Sequence, residues 1–510
     1  MSKQPVVFML YGLLAMYWPV VLTAQQDFAI DGSISGHWRD PARNGEGLTV
    51  EIFAPDRGGV IWFTYDNNGA QVWITGVGAV SGARLIIDNA TITSAATFTD
   101  FNADDVVRTN WGSLTLEFTD CDTGSMSYIG LPEFGSGSIQ LQRLVGIQGH
   151  DCNDRRRSLL GFTPLPPALP DAQGAVLDQV YSKLQDNGDI IAHHFDDGIP
   201  WPEAAAGGDV TSYHPSLQAD WQFRRAMTPP GHKVYVAITP ISISRDRLAP
   251  YRGAQSDTPL TQLGEPWQSA SFDDALVKQA YLQHAINTVE FFAPDYLVLS
   301  IEANLLIELQ PQLWPAFLDL YRATWLAIKQ IYPSLPVFAS MTAHDLLPGQ
   351  TDADHAQQEQ ALRDILPSSD LLGLSFYPFL SALGTGPIDA GVFTQLAKLT
   401  DKPIAITETG MPAQTQTLQL GEADNPVTLL LDGSSSKQAD YTRQLLQAAQ
   451  QHDFRFVIQF VAQDYDQLCV QLDCADFNRL WQDTGLWDEQ GQVRPALTVW
   501  RNWLARPLAF

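Results

Sequence analysis

The feature that most constrains the fold is a regular alternation of short apolar runs with amphipathic stretches from about residue 155 onward. Each run has the length and the aliphatic content of a buried strand, and the stretches between them have helical periodicity. This order predicts parallel strands whose crossover connections are helices. The predicted strands are eight in number: 160–163, 190–193, 234–238, 296–301, 337–340, 371–375, 404–407 and 456–460.

Eight βα units in a region of this length match a (β/α)8 barrel enlarged by loop insertions. A doubly wound open sheet is the alternative. Such sheets normally use fewer strands, and no glycine-rich phosphate loop follows the first strand here. We therefore predict an α/β fold, with a (β/α)8 barrel over residues 155–510.

Residues 27–150 have a different pattern, rich in Gly, Thr and Val. Alternating runs such as 48–53 and 60–65 are separated by turn signals such as 66–69, which predicts antiparallel strands linked by hairpins. We expect a small all-β domain whose large aromatic residues mainly fill its core, and a sugar-stacking platform is the alternative. These aromatic residues are Trp38, Trp62, Tyr65, Trp73 and Trp111.

Charge limits the classes of partner. The chain has 30 Lys and Arg against 57 Asp and Glu, a net charge of −27. A field of that sign repels phosphate backbones and anionic lipid headgroups, so we expect neither nucleic acid nor a membrane surface as a partner. It also disfavours polyanionic substrates and makes a neutral polymer the better expectation. The oligomeric state is not predicted.

Residues 1–24 have the composition of an export signal. Lys3 is the only early charge, an apolar run covers 6–22, and Ala24 offers a small residue for cleavage. Because the run has about the minimum length for a membrane span, an uncleaved anchor is the alternative. We predict a secreted, periplasmic or cell-surface protein with no membrane association once the signal is cleaved.

The four cysteines fall into two sequence-local pairs, as an oxidising compartment favours. We predict the disulfides Cys121–Cys152 and Cys469–Cys474. Free thiols are the alternative, and neither pair has the short spacing with nearby histidines that indicates zinc.

Catalytic groups of a (β/α)8 barrel lie where strands end and βα loops begin. Two carboxylates occupy that position: Glu302 ends the fourth predicted strand and Glu408 ends the seventh. An ionised carboxylate beside a buried strand costs several kcal/mol unless partners compensate, so two of them indicate function more than structure. Three βα units separate them, which places them on opposite sides of one barrel mouth.

With these two glutamates the region resembles the retaining glycoside hydrolases of clan A, whose acid/base ends strand four and whose nucleophile ends strand seven. Residues 403–412 and 374–378 look like strands seven and six of the family 53 galactanases, and 484–497 resembles the closing segment of the clan. The resemblance implies that Glu302 is the acid/base and Glu408 the nucleophile. Separately, residues 36–47 and 62–73 resemble a β-rich module of bacterial exported proteins.

The match to the clan has one departure. Members usually carry Asn directly before the acid/base, whereas Ile301 stands there and Asn304 follows two residues after Glu302. Asn304 either contacts the sugar from another direction or caps a turn. Tyr377, at the end of strand six, either hydrogen-bonds the nucleophile or substrate, or forms a turn at the rim.

Further candidate substrate-binding residues lie in the loops after strands two and three. His193 and Asp196 suit sugar hydroxyls, and His193, His194 and Asp196 also invite a metal interpretation. Adjacent histidines on a strand point to opposite faces, so only one of the two faces the mouth. Arg245 is a further candidate, which orients Glu302, Glu408 or a substrate, or else forms a surface ion pair. The remaining candidates are Trp201 and Trp267, which either stack on sugar rings or close the barrel.

The long insert over residues 250–271 is a predicted lid or cleft wall. The predicted reaction is double displacement on a β-linked polysaccharide or oligosaccharide, and it requires no cofactor. Two rival hypotheses are a non-catalytic carbohydrate-binding protein on a degenerate barrel and a metal-dependent hydrolase that uses His193 or His194 with Asp196.

Overall fold

The computed structural model describes residues 30–54, 56–147, 155–169, 175–385, 388–420 and 426–508. The predicted export signal and Cys152 lie outside the described residues. The chain divides into two compact units between Asp154 and Arg155. Within the described ranges, no helix combines the length and apolar character that a bilayer crossing requires.

The first unit is a closed barrel of eight antiparallel strands in sequential order, which confirms the predicted all-β unit. The strands are β1 (Gly36–Arg39), β2 (Gly47–Ala54), β3 (Arg57–Tyr65), β4 (Gln71–Ser81), β5 (Arg84–Ser94), β6 (Val107–Phe118), β7 (Thr123–Ile129) and β8 (Ser136–Gly146).

The aromatic residues of this unit are divided between its core and its surface. Trp38, Trp62 and Trp111 are buried inside the barrel, as expected for a small β domain. The expectation is wrong for Tyr65 and Trp73, which alternate with inward-facing neighbours and are exposed on the outer face. Two-residue alternation along a strand is the physical reason, because it sends every second side chain to solvent.

The second unit is a closed barrel of parallel strands, each formed where the sequence predicts one, which confirms the (β/α)8 fold. Its strands are β9 (Leu159–Phe162), β10 (Ile190–Phe195), β11 (Lys233–Ile238), β12 (Tyr296–Ser300), β13 (Val337–Thr342), β14 (Leu372–Phe376), β15 (Ile404–Thr409) and β18 (Phe456–Gln459). A hairpin of β16 (Gln416–Leu420) and β17 (Val427–Leu431), which the sequence did not predict, follows β15.

Helices of this unit cover the outside of the barrel and bury their apolar faces against the strands. They are α1 (Ala175–Asn187), α2 (Trp201–Ala205), α3 (Pro215–Met227), α4 (Ala275–Phe292), α5 (Asn304–Leu309), α6 (Trp314–Ile331), α7 (His355–Ile365), α8 (Gly391–Ala397), α9 (Ser435–Gln451), α10 (Asp466–Leu472) and α11 (Pro495–Leu504). The predicted Cys469–Cys474 disulfide closes the loop at the end of α10.

The barrel interior changes in character along its axis. Near the amino ends of the strands it is filled by large apolar side chains such as Tyr235, Phe338 and Phe456. Towards the carboxyl ends, small buried hydroxyl residues replace them, among them Ser300, Ser340 and Ser375. This taper from bulky to small side chains leaves polar space at the carboxyl end of the barrel, where (β/α)8 proteins have their sites.

Candidate active site

Glu302 lies directly after β12 in a strained backbone conformation, with a φ of 49°. A non-glycine residue in the left-handed region costs about 1 to 2 kcal/mol, and such residues cluster at functional sites. Two hydrogen bonds to β13 hold the turn: Glu302 N–H donates to Ser340 Oγ over 3.0 Å, and Ala303 N–H donates to the Ser340 carbonyl over 2.9 Å. The turn directs the mostly buried Glu302 carboxylate into the barrel mouth, beside Arg245.

Arg245 connects the loops after β10, β11 and β12. It is buried, also has a positive φ of 57°, and lies with Nη2 at 3.1 Å from Glu302 Oε2. The same guanidinium makes a bidentate pair with Asp196, at 2.8 and 2.6 Å. Arg245 is therefore a positioning residue for Glu302, and the surface ion pair considered as its alternative is not what the structure shows.

The structure gives Asp196 a different place from the predicted one. Both of its carboxylate oxygens accept hydrogen bonds from Arg245, so Asp196 holds the arginine that holds Glu302. Planar, bidentate pairing of this kind fixes the orientation of the guanidinium as well as its position.

Glu408 lies on β15, where the strand pairing is irregular on both sides. The register shifts between Leu374 and Ser375 on β14, and between Ile406 and Thr409 on β15 itself. Irregularities of this kind redirect a side chain, and here they accompany a carboxylate that reaches the mouth next to the inward-facing Thr407. Tyr377 Oη donates to Glu408 Oε2 over 2.9 Å. Of the two roles considered for Tyr377, the structure therefore shows a hydrogen bond to Glu408.

His194 Nδ1 lies 3.4 Å from Glu408 Oε1. Burial, followed by the charges of Arg224 and Arg245, lowers the pKa of His194 to about 3. The imidazole is therefore neutral at neutral pH, and its contact with Glu408 is a polar contact between a neutral ring and a carboxyl group.

The two glutamates influence each other. Burial, and after it the negative charge of Glu302, raises the pKa of Glu408 to about 8. Two carboxyl groups that repel in this way titrate as a pair and hold one proton between them near neutral pH. Because its pKa is raised to about 8, the Glu408 carboxyl holds a proton at neutral pH in the free protein, while Glu302 lies beside the Arg245 guanidinium.

His193 is a correction. The alternation along β10 turns Ile190, Ala192 and His194 inward, so His193 points outward between the strand and the helices. Its Nε2 is 3.0 Å from Thr228 Oγ1 and its ring packs against Phe292. His193 therefore cannot contact a substrate in the mouth, and the two histidines cannot share one metal ion. The alternation was the signal that identifies His194 as the inward residue.

Asn304 is also corrected. Its side chain is fully buried and makes hydrogen bonds with Thr342 and Gln358. These bonds tie the start of α5 to the end of β13 and to α7. Asn304 thus stabilises the turn that carries Glu302, and its side chain does not reach a sugar in the mouth.

Trp201 and Trp267 do not form stacking platforms. Trp201 is fully buried, and its indole N–H donates to the Ala249 carbonyl over 2.9 Å. Trp267 is buried against it, with ring centroids 6.1 Å apart. The proline-flanked loops fold back onto the helix layer, so the two rings close the barrel, which was the alternative considered.

The aromatic wall of the site comes instead from residues that the sequence analysis missed. Trp481 packs edge-on against Tyr377 at 5.8 Å and against Phe460 at 6.3 Å, and Tyr377 in turn donates to Glu408. Its indole nitrogen is buried without a hydrogen-bond partner among the described residues. Trp481 lies in an irregular segment after the last strand, where no periodicity marks it.

The insert over residues 250–271 is fastened to the loop after β10. Arg252 Nε donates to Asp197 Oδ2 over 2.7 Å, and Tyr251 Oη donates to Glu203 over 2.6 Å. Backbone pairing of Ile199 with Tyr251 adds to these contacts. The insert is thus anchored to the segment that follows β10, and its role as a lid or cleft wall stays a prediction.

No protein-family model and no curated protein sequence matches the chain. Solved structures with a similar fold include the exo-β-1,4-mannosidase Op5Man5 from Opitutaceae bacterium strain TAV5, at 13% identity and a TM-score of 0.46 over 70% of this chain and 61% of that one. They also include the GH53 catalytic domain of Ignisphaera aggregans, at 15% identity and a TM-score of 0.44 over 67% and 95% of the two chains.

A third similar structure is a GH5_18 protein from Bifidobacterium longum subsp. infantis, at 17% identity and a TM-score of 0.46 over 70% and 80% of the two chains. All three identities are below 20%, and all three TM-scores are below 0.5.

Proposed function

We propose that the protein is a retaining glycoside hydrolase that cleaves a β-linked polysaccharide or oligosaccharide. The observation that carries the proposal is the pair of mostly buried glutamates at the ends of β12 and β15. Each has a hydrogen-bond partner in the site: Arg245, which it shares with Asp196, for Glu302, and Tyr377 for Glu408. Two carboxyl groups on opposite sides of one barrel mouth are the machinery of glycoside hydrolysis.

In the proposed reaction Glu408 attacks the anomeric carbon as Glu302 gives its proton to the leaving oxygen. The glycosidic C–O bond breaks and a covalent glycosyl–Glu408 ester forms. Glu302 then removes a proton from water, the water oxygen attacks the same carbon, and Glu408 leaves as a carboxylate. Glu302 regains its proton, so the protein is unchanged over one cycle.

The direct test is a screen of the purified full chain against β-glucans, galactans and mannans for release of reducing ends, with the Glu408→Gln chain as the control. We expect release from at least one neutral polymer. Trp481 and Phe460, whose partly buried rings meet edge-on at 6.3 Å, are the proposed stacking surface for a pyranose ring. Absence of release from every polymer would remove the proposal in favour of a non-catalytic binding protein.

We also propose that the protein is exported. The apolar run within residues 1–24 and the Cys469–Cys474 disulfide support this location, since disulfides persist in oxidising compartments.

Retention of configuration is the stereochemical expectation. Opposed glutamates at these strand ends should have carboxyl groups about 5 to 5.5 Å apart, too close for the water that inversion requires. The first-formed sugar should therefore be the β anomer in an NMR time course begun before mutarotation. First appearance of the α anomer would contradict double displacement even if both glutamates prove essential.

The position of the shared proton favours one alternative, in which the roles are exchanged. In the free protein Glu408 holds the proton and Glu302 faces Arg245, so the proposed roles require the proton to move to Glu302 when the sugar binds. Azide separates the two assignments with an aryl β-glycoside substrate. Glu302→Ala should yield the β-glycosyl azide and Glu408→Ala the α-glycosyl azide, and exchanged roles would exchange the two products.

The raised pKa of Glu408 predicts how activity depends on pH. The active form needs one proton on the pair and one negative charge, so kcat/KM should fall as pH rises through about 8, where the pair loses its last proton. Tyr377 donates to the charged form of Glu408 and lowers the pKa of that carboxyl, so Tyr377→Phe should move the alkaline limb to higher pH.

The control for this variant is Tyr321→Phe, which removes a buried hydroxyl bonded to Ser369 in the outer helix layer and should leave the pH profile unchanged. Activity that still rises above about pH 9 in the unmodified chain would contradict the titration of the pair.

A further inference from the structure

The outer face of the β unit carries an open groove and, next to it, an exposed aromatic pair. The groove, of about 540 Å³, lies over β2 to β5, and its lining includes Thr49, Phe53, Gly59, Thr75 and Thr91. In volume it falls within the range of about 300 to 1,000 Å³ that is typical of ligand sites.

The strand register builds a polar row across the groove. Thr49 pairs with Ile61, Ile61 with Thr75, and Thr75 with Thr91, so these side chains follow one another across four neighbouring strands. Neighbouring strands lie about 4.8 Å apart, which gives the row a regular spacing. Thr75 Oγ1 and Thr91 Oγ1 lie 3.2 Å apart, and Thr49 Oγ1 lies 3.0 Å from His37 Nδ1. A hydroxyl has one donor and two acceptor positions, so each of these threonines keeps a further hydrogen-bonding position for a ligand.

An aromatic pair flanks the row on one side. Trp73 pairs with Phe63 across β4 and β3. This pair lies two residues along the strands from the Thr75–Ile61 pair, on the same face of the sheet. Trp73 is 61% exposed, and its ring meets that of Phe63 edge-on at 5.8 Å. Contiguous exposed aromatic side chains of this kind mark binding surfaces, because a ligand that covers them removes their apolar area from water.

The charges of the groove identify the class of ligand. Glu51 is the only charged residue of its described lining, which contains no lysine or arginine, so nothing there would pair with a phosphate, sulfate or uronate. Hydroxyl groups beside aromatic faces instead match a neutral sugar, which presents C–H faces and hydroxyl edges. We propose that this groove, with Trp73 beside it, binds a neutral polysaccharide chain at a second site in addition to the catalytic one.

The choice of a glycan rests in part on the proposed function of the (β/α)8 barrel. The groove nevertheless has features of its own that a test can address separately. Gly59 forms part of its floor, and a Cβ atom there would meet the Gly76 carbonyl oxygen and Phe53 at 3.5 Å and Val77 at 3.7 Å, which are ordinary van der Waals distances. Gly59→Val therefore adds a side chain whose Cβ atom fits without a clash, and valine suits a β-strand.

The test uses the full chain with Glu408→Gln, so that bound polymer is not hydrolysed. Retention is measured on insoluble β-mannan, microcrystalline cellulose and insoluble β-1,3-glucan. We expect retention on at least one polymer. Adding Trp73→Ala or Gly59→Val should weaken that retention by at least about fivefold, the loss that corresponds to one aromatic stacking contact.

Ile129→Ala is the matched control. Ile129 lies on β7, which contributes nothing to the groove, and is 65% exposed, so its removal should leave retention unchanged. Circular dichroism and thermal melting of each variant show that the β unit is still folded. Retention that survives both groove substitutions, falls equally with Ile129→Ala, or is absent on all three polymers would overturn the proposal. The last of these results would also be expected if the groove binds a protein.

Hydrolysis separates this proposal from that for the catalytic site. In the chain with Glu408 intact, Trp73→Ala should leave kcat/KM on a short soluble oligosaccharide unchanged and lower the rate on insoluble polymer. A chain that hydrolyses nothing but binds polymer through Trp73 would support the groove and contradict the proposed function. A chain that hydrolyses polymer, but whose retention on polymer is unchanged by Trp73→Ala, would support the proposed function and contradict the groove.

Discussion

Glu302→Gln and Glu408→Gln are each expected to lower kcat by at least about 10²-fold with the fold intact. Glutamine has the shape of glutamate but can neither give a proton to the leaving oxygen nor form the glycosyl ester. The measurement is steady-state hydrolysis of the polymer found by the screen. Glu359→Gln, on the exposed face of α7, is the control and should keep full activity. Near-normal turnover by either active-site variant would rule out the paired-glutamate mechanism.

The stability of Glu408→Gln gives a second measurement on the same variant. Because the pKa of Glu408 is raised from 4.5 to about 8 in the folded protein, the folded state holds a proton that the unfolded state has lost between these pH values. The free energy of unfolding should therefore fall as pH rises from about 4.5 through about 8. Glu408→Gln should remove that part of the fall, whereas Glu359→Gln should leave it in place.

Arg245→Gln is expected to reduce both stability and activity by large amounts. The substitution leaves Asp196 and Glu302 mostly buried without their shared counter-charge, and breaking a buried pair by removing one partner costs about 3 to 5 kcal/mol. We expect the urea midpoint to fall accordingly, and kcat to fall at least about tenfold because Glu302 is no longer held. Arg245→Lys should restore part of the stability but less of the activity, since a lysine cannot make the bidentate pair.

Arg247 provides the matched control for Arg245. It lies two residues away, its side chain is 69% exposed, and it pairs with Asp246 at the surface. Arg247→Gln should change the free energy of unfolding by no more than about 0.5 kcal/mol, as for most surface substitutions. If Arg245→Gln behaved like Arg247→Gln, the bridge between Asp196 and Glu302 would have no role in the site.

The sequence by itself determined the architecture and the position of the two glutamates. Buried parallel strands need continuous apolar runs, and the antiparallel barrel needs alternation of apolar and polar residues. Both patterns can be recognised within a few consecutive residues. Glu302 and Glu408 could be found because each interrupts such a run at its carboxyl end, where an ionisable group is costly. The two-residue alternation along β10 also indicates that His194, and not His193, faces the interior of the barrel.

Tertiary structure decided what these local patterns do not encode. The bond of Asn304 to Thr342, the burial of Trp201 under Trp267 and the approach of Trp481 to Tyr377 all join segments far apart in the sequence. Arg245 reaches Glu302 and Asp196 only because the loops after three strands converge at one end of a closed barrel. Contacts of this kind depend on how the loops pack, and that packing is set by the whole barrel and by no single segment.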